Sequence, residues 1–107
     1  MPLHSLISSL QSHAERVSED RTACERTIAW IREHGESAFI KENLEGHLTG
    51  SIMITNPERT KVLLMLHKKF QRWQQFGGHC DGETDVLGVA IREFHEESGI
   101  SLEPEIV

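Results

Sequence analysis

The chain has 107 residues, of which 37% are hydrophobic and 26% are charged, a balance typical of one small globular domain. Its formal net charge of -6 argues against binding to a nucleic-acid duplex, because duplex binding needs basic patches. The sequence contains no apolar run of membrane-span length and no signal-peptide pattern. We therefore expect a cytoplasmic protein without a membrane partner, whose cysteines, Cys24 and Cys80, stay reduced.

The first third of the chain predicts a pair of helices. Apolar residues recur at helical spacing over residues 3–17. Ser18 is expected to open a second helix and Gly35 to end it. The second helix has one apolar face, formed by Cys24, Thr27, Ile28 and Ile31. We expect a helical hairpin at residues 1–36 that packs on a domain at residues 37–107.

Strand-forming segments follow. Residues 37–43 predict a short strand, and residues 48–55 and 61–67 are rich in Ile, Leu, Met and Val. The segment Asn56-Pro57-Glu58-Arg59 is typical of a turn, so the two longer strands are expected to form a hairpin. Trp73 comes beside the next strand end, where a tryptophan is expected in the core; stacking on a nucleobase is the alternative.

Three carboxylates lie close together on the last predicted helix, residues 85–98. A helix turns by about 100° per residue, so Glu93, Glu96 and Glu97 share one face. Like charges at i,i+4 repel by about 0.2–0.5 kcal/mol per pair. Just before the helix-ending Gly99, the helix dipole also disfavours anions by roughly 0.3–1 kcal/mol. A divalent cation would remove both penalties, whereas a solvated acidic face is the plain alternative.

An apolar stripe adjoins these carboxylates. It consists of Leu87, Ala90, Ile91 and Phe94. Because this stripe is expected to be buried, the carboxylates are expected to lie at a cleft, one helix length after Gly77 and Gly78.

The spacing of these residues resembles the Nudix hydrolases. Their signature reads Gly, five residues, Glu, seven residues, then Arg-Glu-apolar-any-Glu-Glu-any-Gly-apolar. Aligned on Arg92, it begins at Gly78 and ends at Ile100. Thr84 stands where the family has its first Glu, with Glu83 one place early, and this departure concerns loop geometry more than metal binding.

A subgroup of the family is more similar still. It reads Gly-His-any-Thr upstream, matched by residues 46–49, and Trp…Gly-Gly-His-any-Asp-Gly around the loop, matched by residues 73–82. Phe76 departs from the Pro that many members have before Gly-Gly.

The resemblance implies Mg²⁺-dependent hydrolysis of a phosphoanhydride bond in a nucleoside diphosphate linked to another moiety, with Mn²⁺ as a substitute ion. A cation is needed because carboxylates cannot hold a polyanion directly, and Mg²⁺ prefers oxygen ligands and shares them with phosphates. By resemblance, the metal ligands and catalytic acids are Glu93, Glu96 and Glu97, with Gly78 beside the metal. One of these acids, or another outside the motif, would activate the water.

Other site residues follow from the same resemblance. Structural support is expected from Arg92, Gly77 and Gly99, with direct phosphate contact as the alternative for Arg92. His79, in the Gly-Gly loop, is expected to contact the substrate. Independently of the resemblance, Lys69 and Arg72 belong to a small basic cluster after an apolar run, which predicts phosphate contacts or, alternatively, solvated turn charges.

The implied fold is α+β, a Nudix-like α/β/α sandwich with a mixed sheet, preceded by the helical hairpin. Family domains continue well past the helix at residues 85–98, so we expect the C-terminal part to lie outside this sequence or a second chain to complete the fold as a homodimer. One alternative function is a non-catalytic, Nudix-derived nucleotide-binding module. Another is an isopentenyl-diphosphate isomerase-like enzyme, which would need a catalytic cysteine upstream, whereas Cys80 lies in the Gly-Gly loop.

Overall fold

The computed structural model describes residues 2–106. These residues form two compact units: one runs up to Leu48 and includes Cys80–Asp85, and the other contains Thr49–His79 and the chain from Val86 onward. The α-helices are α1 (Pro2–Arg16), α2 (Arg21–His34) and α3 (Val86–Ser98). The strands are β1 (Thr49–Ile52), β2 (Ile54–Thr55), β3 (Val62–Leu63), β4 (Met65–His67), β5 (Arg72–Gln74) and β6 (Phe76–His79). The domain boundary expected at residues 36 and 37 stays a prediction.

The first unit contains the predicted helix pair. Helices α1 and α2 pack together, joined by a single 3₁₀ turn at Ser18–Asp20. The buried side chains on the apolar face of α2 are Cys24, Ile28 and Ile31, as the spacing predicts. Gly35 follows the last residue of α2 with φ of 59°, a positive value that glycine adopts at little cost because it has no Cβ. Packing of this helix pair on the rest of the chain stays a prediction.

The prediction of a strand at residues 37–43 is wrong. Gly35–Phe39 forms a 3₁₀ helix and a turn follows it. Ser37 Oγ donates a 2.7 Å hydrogen bond to the His34 carbonyl, and Asn43 Nδ2 donates one of 3.2 Å to the Ser37 carbonyl. Such short-range side-chain hydrogen bonds offer the backbone an alternative to a strand. Phe39, the last residue of the 3₁₀ helix, is fully buried.

The second unit contains three antiparallel two-stranded ladders, β1–β6, β2–β3 and β4–β5. The β2–β3 hairpin confirms the predicted turn: Asn56 Oδ1 accepts hydrogen bonds from the backbone N–H groups of Thr60 and Lys61, at 2.9 and 3.0 Å. All strand pairs among residues 2–106 are antiparallel, so the α+β class is supported while the mixed sheet and the sandwich stay predictions.

Trp73 is not in the core, contrary to the sequence expectation. Its side chain is 68% exposed, and its cross-strand partner Leu66 is 47% exposed. The pair lies on an uncovered part of the β4–β5 ladder. A position beside a strand end was therefore not enough to predict that Trp73 is buried.

Helix α3 packs against β1 and β6. Phe76 of β6 and Phe94 of α3 are both buried and meet edge to face, with ring centroids 5.2 Å apart. The buried face of α3 is rotated about the helix axis relative to the predicted apolar stripe, since Val89 is fully buried whereas Leu87 is 51% exposed. Of the three carboxylates on α3, Glu93 is half-buried, whereas Glu96 and Glu97 are exposed.

Within residues 2–106, each helix is too short or too polar to cross a membrane.

Candidate active site

Glycine residues form the part of the β1–β6 ladder on which α3 lies. Gly50 of β1 pairs with Gly78 of β6. A Cβ atom at Gly50 would lie 3.0 Å from Val89 Cγ1, which is tighter than ordinary van der Waals contact. Helix α3 therefore lies almost directly on the strand backbone, an approach that glycine permits because it has no Cβ.

Glu93 sits over Gly78. A Cβ atom at Gly78 would lie only 2.7 Å from Glu93 Cδ, so the carboxylate fills the space that a side chain there would take. The Glu93 side chain is half-buried, between the helix and the strand. The absence of a side chain at Gly78 thus places this carboxylate against the backbone of β6.

Glu97, one turn later, contacts the preceding glycine. Its Oε1 accepts a 3.1 Å hydrogen bond from the Gly77 N–H. A bond from a backbone N–H to an ionised carboxylate is stronger than one between neutral groups. Glu93 and Glu97 therefore converge on two consecutive residues of one strand.

Glu96 is placed differently. Its Oε1 lies 3.9 Å from Arg92 Nε, and the two side chains are 62% and 47% exposed. An exposed i,i+4 pair of this kind contributes roughly 0.3–0.5 kcal/mol. On the helix, Glu96 lies about 40° from Arg92 and about 60° from Glu93, on the outer flank of the packed face.

A family model described as the NUDIX domain matches residues 47–107, more than half of the chain. The chain belongs to the Nudix family. Searches of curated proteins and of solved structures found no match. The match begins near the start of β1 and includes the whole of β6 and α3, so the glycines and carboxylates described above are part of the Nudix region.

Nudix hydrolases generally use divalent metals, and the chemistry of this site suits such an ion. Residues 2–106 contain no group of three or more His, Cys, Asp or Glu side chains placed to hold a metal. Glu93 and Glu97 nevertheless offer hard oxygen donors at a point where a Cβ is absent. Mg²⁺ commonly binds through one or two carboxylates together with water and substrate phosphates, so the two carboxylates fit it. A ligand role for Glu96 stays a prediction.

The loop before α3, Cys80–Asp85, is a tight turn. Asp81 and Gly82 both have positive φ, at 52° and 88°, and the Glu83 N–H donates to the Cys80 carbonyl at 3.0 Å. Glu83 Oε1 accepts a 3.0 Å hydrogen bond from the Asp85 N–H. In this Nudix chain, the glutamate one place ahead of Thr84 therefore stabilises the loop locally. The supporting roles expected of Arg92, Gly77 and Gly99 stay predictions, although Gly99 ends α3 with φ of 72°.

The expected substrate contacts fall at two places in the second unit. His79 ends β6 and lines a shallow open groove. Lys69 and Arg72 belong to the β4–β5 hairpin, where Lys69 Nζ lies 5.6 Å from the centre of the Phe70 ring. Their role as substrate contacts stays a prediction.

The groove brings predicted site residues together with residues that were not predicted. Gly77, Gly78 and His79 were predicted, whereas Thr49, Ser51, Gln74 and Gln75 were not. Gln75 Nε2 donates a 2.8 Å hydrogen bond to Ser51 Oγ, which joins the two sides of the groove. Successive residues of a strand point to opposite faces of the sheet. Gly78 faces α3, so its neighbours Gly77 and His79 face the opposite side, and this alternation along β1 and β6 could have predicted a second, groove-lining face.

Proposed function

We propose that this Nudix chain hydrolyses a phosphoanhydride bond in a nucleoside diphosphate linked to another moiety, with the help of Mg²⁺ or Mn²⁺. The observation that carries the proposal is the convergence of Glu93 and Glu97 on Gly77 and Gly78. Family membership supports the hydrolase class.

The electrostatics explain why these two carboxylates need a cation. The chain carries a formal charge of -6 and the substrate is itself an anion. Mg²⁺, when bound, neutralises phosphate charge and lowers the pKa of a coordinated water. Glu93 and Glu97 would hold it, because both are placed by contacts with β6 that do not require the ion.

Glu96 completes the proposed catalytic set by its position in the Nudix motif. Its weak, exposed pairing with Arg92 leaves its carboxylate able to change rotamer at low cost. One carboxylate of the set, or an acid outside it, accepts the proton of the attacking water. Gly78 keeps the space above β6 open for these groups.

The experiment is phosphate release from a panel of nucleoside diphosphate derivatives, with and without Mg²⁺. The unmodified chain, Glu97→Gln and the matched exposed control Glu105→Gln are run in parallel. We expect metal-dependent release that falls at least about tenfold in Glu97→Gln, or some 1.4 kcal/mol of barrier, and is unchanged in the control. No release from a folded protein would refute the proposal.

A non-catalytic nucleotide-binding module is the second candidate. It is favoured by the lack, among residues 2–106, of three converging metal-binding side chains, and by Thr84 in place of the motif glutamate. Such a module would bind a nucleoside diphosphate derivative and leave it intact, so binding without turnover identifies it.

Self-association is a separate proposal. A second copy of the chain is proposed to pair with this one as a homodimer. Light scattering at micromolar concentration measures the oligomeric state, and a monomer would count against this expectation.

A further inference from the structure

The loop that leads into α3 is hydrogen-bonded to a segment of the chain that precedes the Nudix region. The Gly82 N–H donates a 2.9 Å hydrogen bond to the Phe39 carbonyl. We propose that Phe39, through this carbonyl, is a positioning residue that anchors the loop Cys80–Asp85 and so supports turnover. The part that concerns turnover rests on the proposed function, whereas the anchor itself can be measured without it.

This hydrogen bond joins two segments that are distant in sequence but belong to the same compact unit. The Nudix match begins at residue 47, so Phe39 lies before it and Gly82 lies within it. The neighbouring carbonyl makes a similar contact, since Ala38 O accepts a 2.7 Å hydrogen bond from the N–H of Leu48, the residue before β1. Two consecutive carbonyls from outside the Nudix region therefore bind two segments of it.

Burial makes this segment a firm point of attachment. Ala38 and Phe39 are both fully buried. A buried carbonyl without a hydrogen-bond partner costs free energy, so the Gly82 N–H satisfies a group that needs a partner. Ile40 adds an apolar contact, because its Cγ2 lies 3.7 Å from the position that a Cβ on Gly82 would take. A polar and an apolar contact of Gly82 thus come from adjacent residues.

The loop needs support from outside itself. Asp81 has φ of 52°, a left-handed conformation that a non-glycine residue keeps only where its surroundings impose it. The hydrogen bond from the Asp85 N–H to Glu83 Oε1 joins residues two positions apart, so it shapes the loop without attaching it to another element. Thr84 stands where the Nudix motif has a glutamate, a departure that concerns the geometry of this loop. The contact with Phe39 is the long-range one that fixes where the loop lies.

The anchored loop is covalently joined to both elements of the candidate active site. Cys80 follows the last residue of β6, and Asp85 precedes the first residue of α3. Catalytic groups that are held less precisely lose rate even when the substituted residue is remote from the chemistry. Phe39 is fully buried and so does not touch a substrate. Loss of the anchor is therefore expected to lower kcat and to change KM less.

The first test needs no turnover. Amide hydrogen exchange measured by NMR compares Gly82 with Ile31, a buried residue of α2, in the unmodified chain, Ile40→Ala and the matched control Leu10→Ala. Both substitutions truncate a half-buried aliphatic side chain of the same unit, and Ile40 is the one that lies against Gly82. We expect Gly82 to exchange at least about tenfold faster relative to Ile31 in Ile40→Ala, with no change in the control. An unchanged ratio in Ile40→Ala, or an equal change in both variants, would overturn the anchor.

The second test removes the hydrogen bond alone. Ligation at Cys80 joins residues 1–79 to a synthetic segment, residues 80–107, in which an ester replaces the amide between Asp81 and Gly82. The ester has an oxygen in place of the Gly82 N–H and leaves every side chain unchanged. An ester at the exposed Glu105, in the same synthetic segment, is the matched control.

The readout is Mg²⁺-dependent phosphate release by the two ester chains and by the ligated all-amide chain, with folding verified by the slow exchange of Ile31. We expect the Gly82 ester to lower kcat at least about tenfold and to change KM less than about twofold. The Glu105 ester should leave both constants unchanged. An unchanged kcat in the folded Gly82 ester, or a rise in KM alone, would overturn the positioning role.

These outcomes separate the two proposals. A Gly82 amide that Ile40→Ala releases, in a chain that frees no phosphate, supports the anchor and refutes hydrolysis. Metal-dependent hydrolysis with the same kcat in the Gly82 ester supports the enzyme and refutes the positioning role.

Discussion

The carboxylate of Glu93 occupies the space that a side chain at Gly78 would fill, since a Cβ there would lie 2.7 Å from Glu93 Cδ. The two residues are fifteen positions apart and belong to different elements, α3 and β6. The glycine and the glutamate of the Nudix motif are therefore in direct contact. The effects of substitutions at the two positions on the free energy of unfolding should be coupled.

Gly78→Ala is expected to destabilise the fold by about 1–3 kcal/mol, because the added methyl group overpacks the Glu93 side chain. Urea unfolding of Gly78→Ala, Glu93→Ala and the double variant measures the coupling. Truncating Glu93 should recover most of the loss caused by Gly78→Ala. Simple additivity of the two single changes would contradict the contact.

Glu97→Gln and Glu96→Gln are expected to differ in their effect on metal affinity. Glutamine at position 97 can still accept the Gly77 hydrogen bond but loses the charge, so Mn²⁺ affinity should fall at least about tenfold. Glu96→Gln removes an exposed pair with Arg92 and should change affinity less. Mn²⁺ binding followed by electron paramagnetic resonance compares them, and a larger loss at position 96 would reverse the proposed ligand ranking.

Mg²⁺ is expected to raise the melting temperature of the chain, because a ligand that binds only the folded state stabilises it by about 2.7 kcal/mol at one hundred times its Kd. Differential scanning fluorimetry across a Mg²⁺ series measures the shift, with Na⁺ at matched ionic strength as the control. The shift should disappear in Glu93→Gln. A shift that persists in this variant would indicate that Mg²⁺ binds elsewhere.

Phe76→Ala is expected to cost about 3–5 kcal/mol of folding free energy, because Phe76 is buried and packs edge to face on Phe94. Phe70→Ala, which truncates a 55% exposed ring, is the matched control and should cost far less. Urea unfolding gives both values. Similar losses in the two variants would mean that the core of the second unit is not organised around the Phe76–Phe94 contact.

Much of the local structure was determined by the sequence itself. The apolar spacing and Gly35 predicted α2, Asn56 predicted the β2–β3 turn, and the end of α3 at Gly99 followed from a residue that tolerates positive φ. These features depend on interactions within a few residues, which is why pattern and turn chemistry were enough.

Only the tertiary structure decided what each residue faces. Periodicity put Leu87 in the buried stripe, whereas the close contact of Val89 with Gly50 rotated α3 and left Leu87 exposed. Burial of a side chain depends on its neighbours in space, and periodicity defines only relative directions on one helix. For the same reason, the sequence could place three acids on one face, but it took the packing of α3 on glycine backbone to bring Glu93 and Glu97 onto β6 and leave Glu96 on the flank.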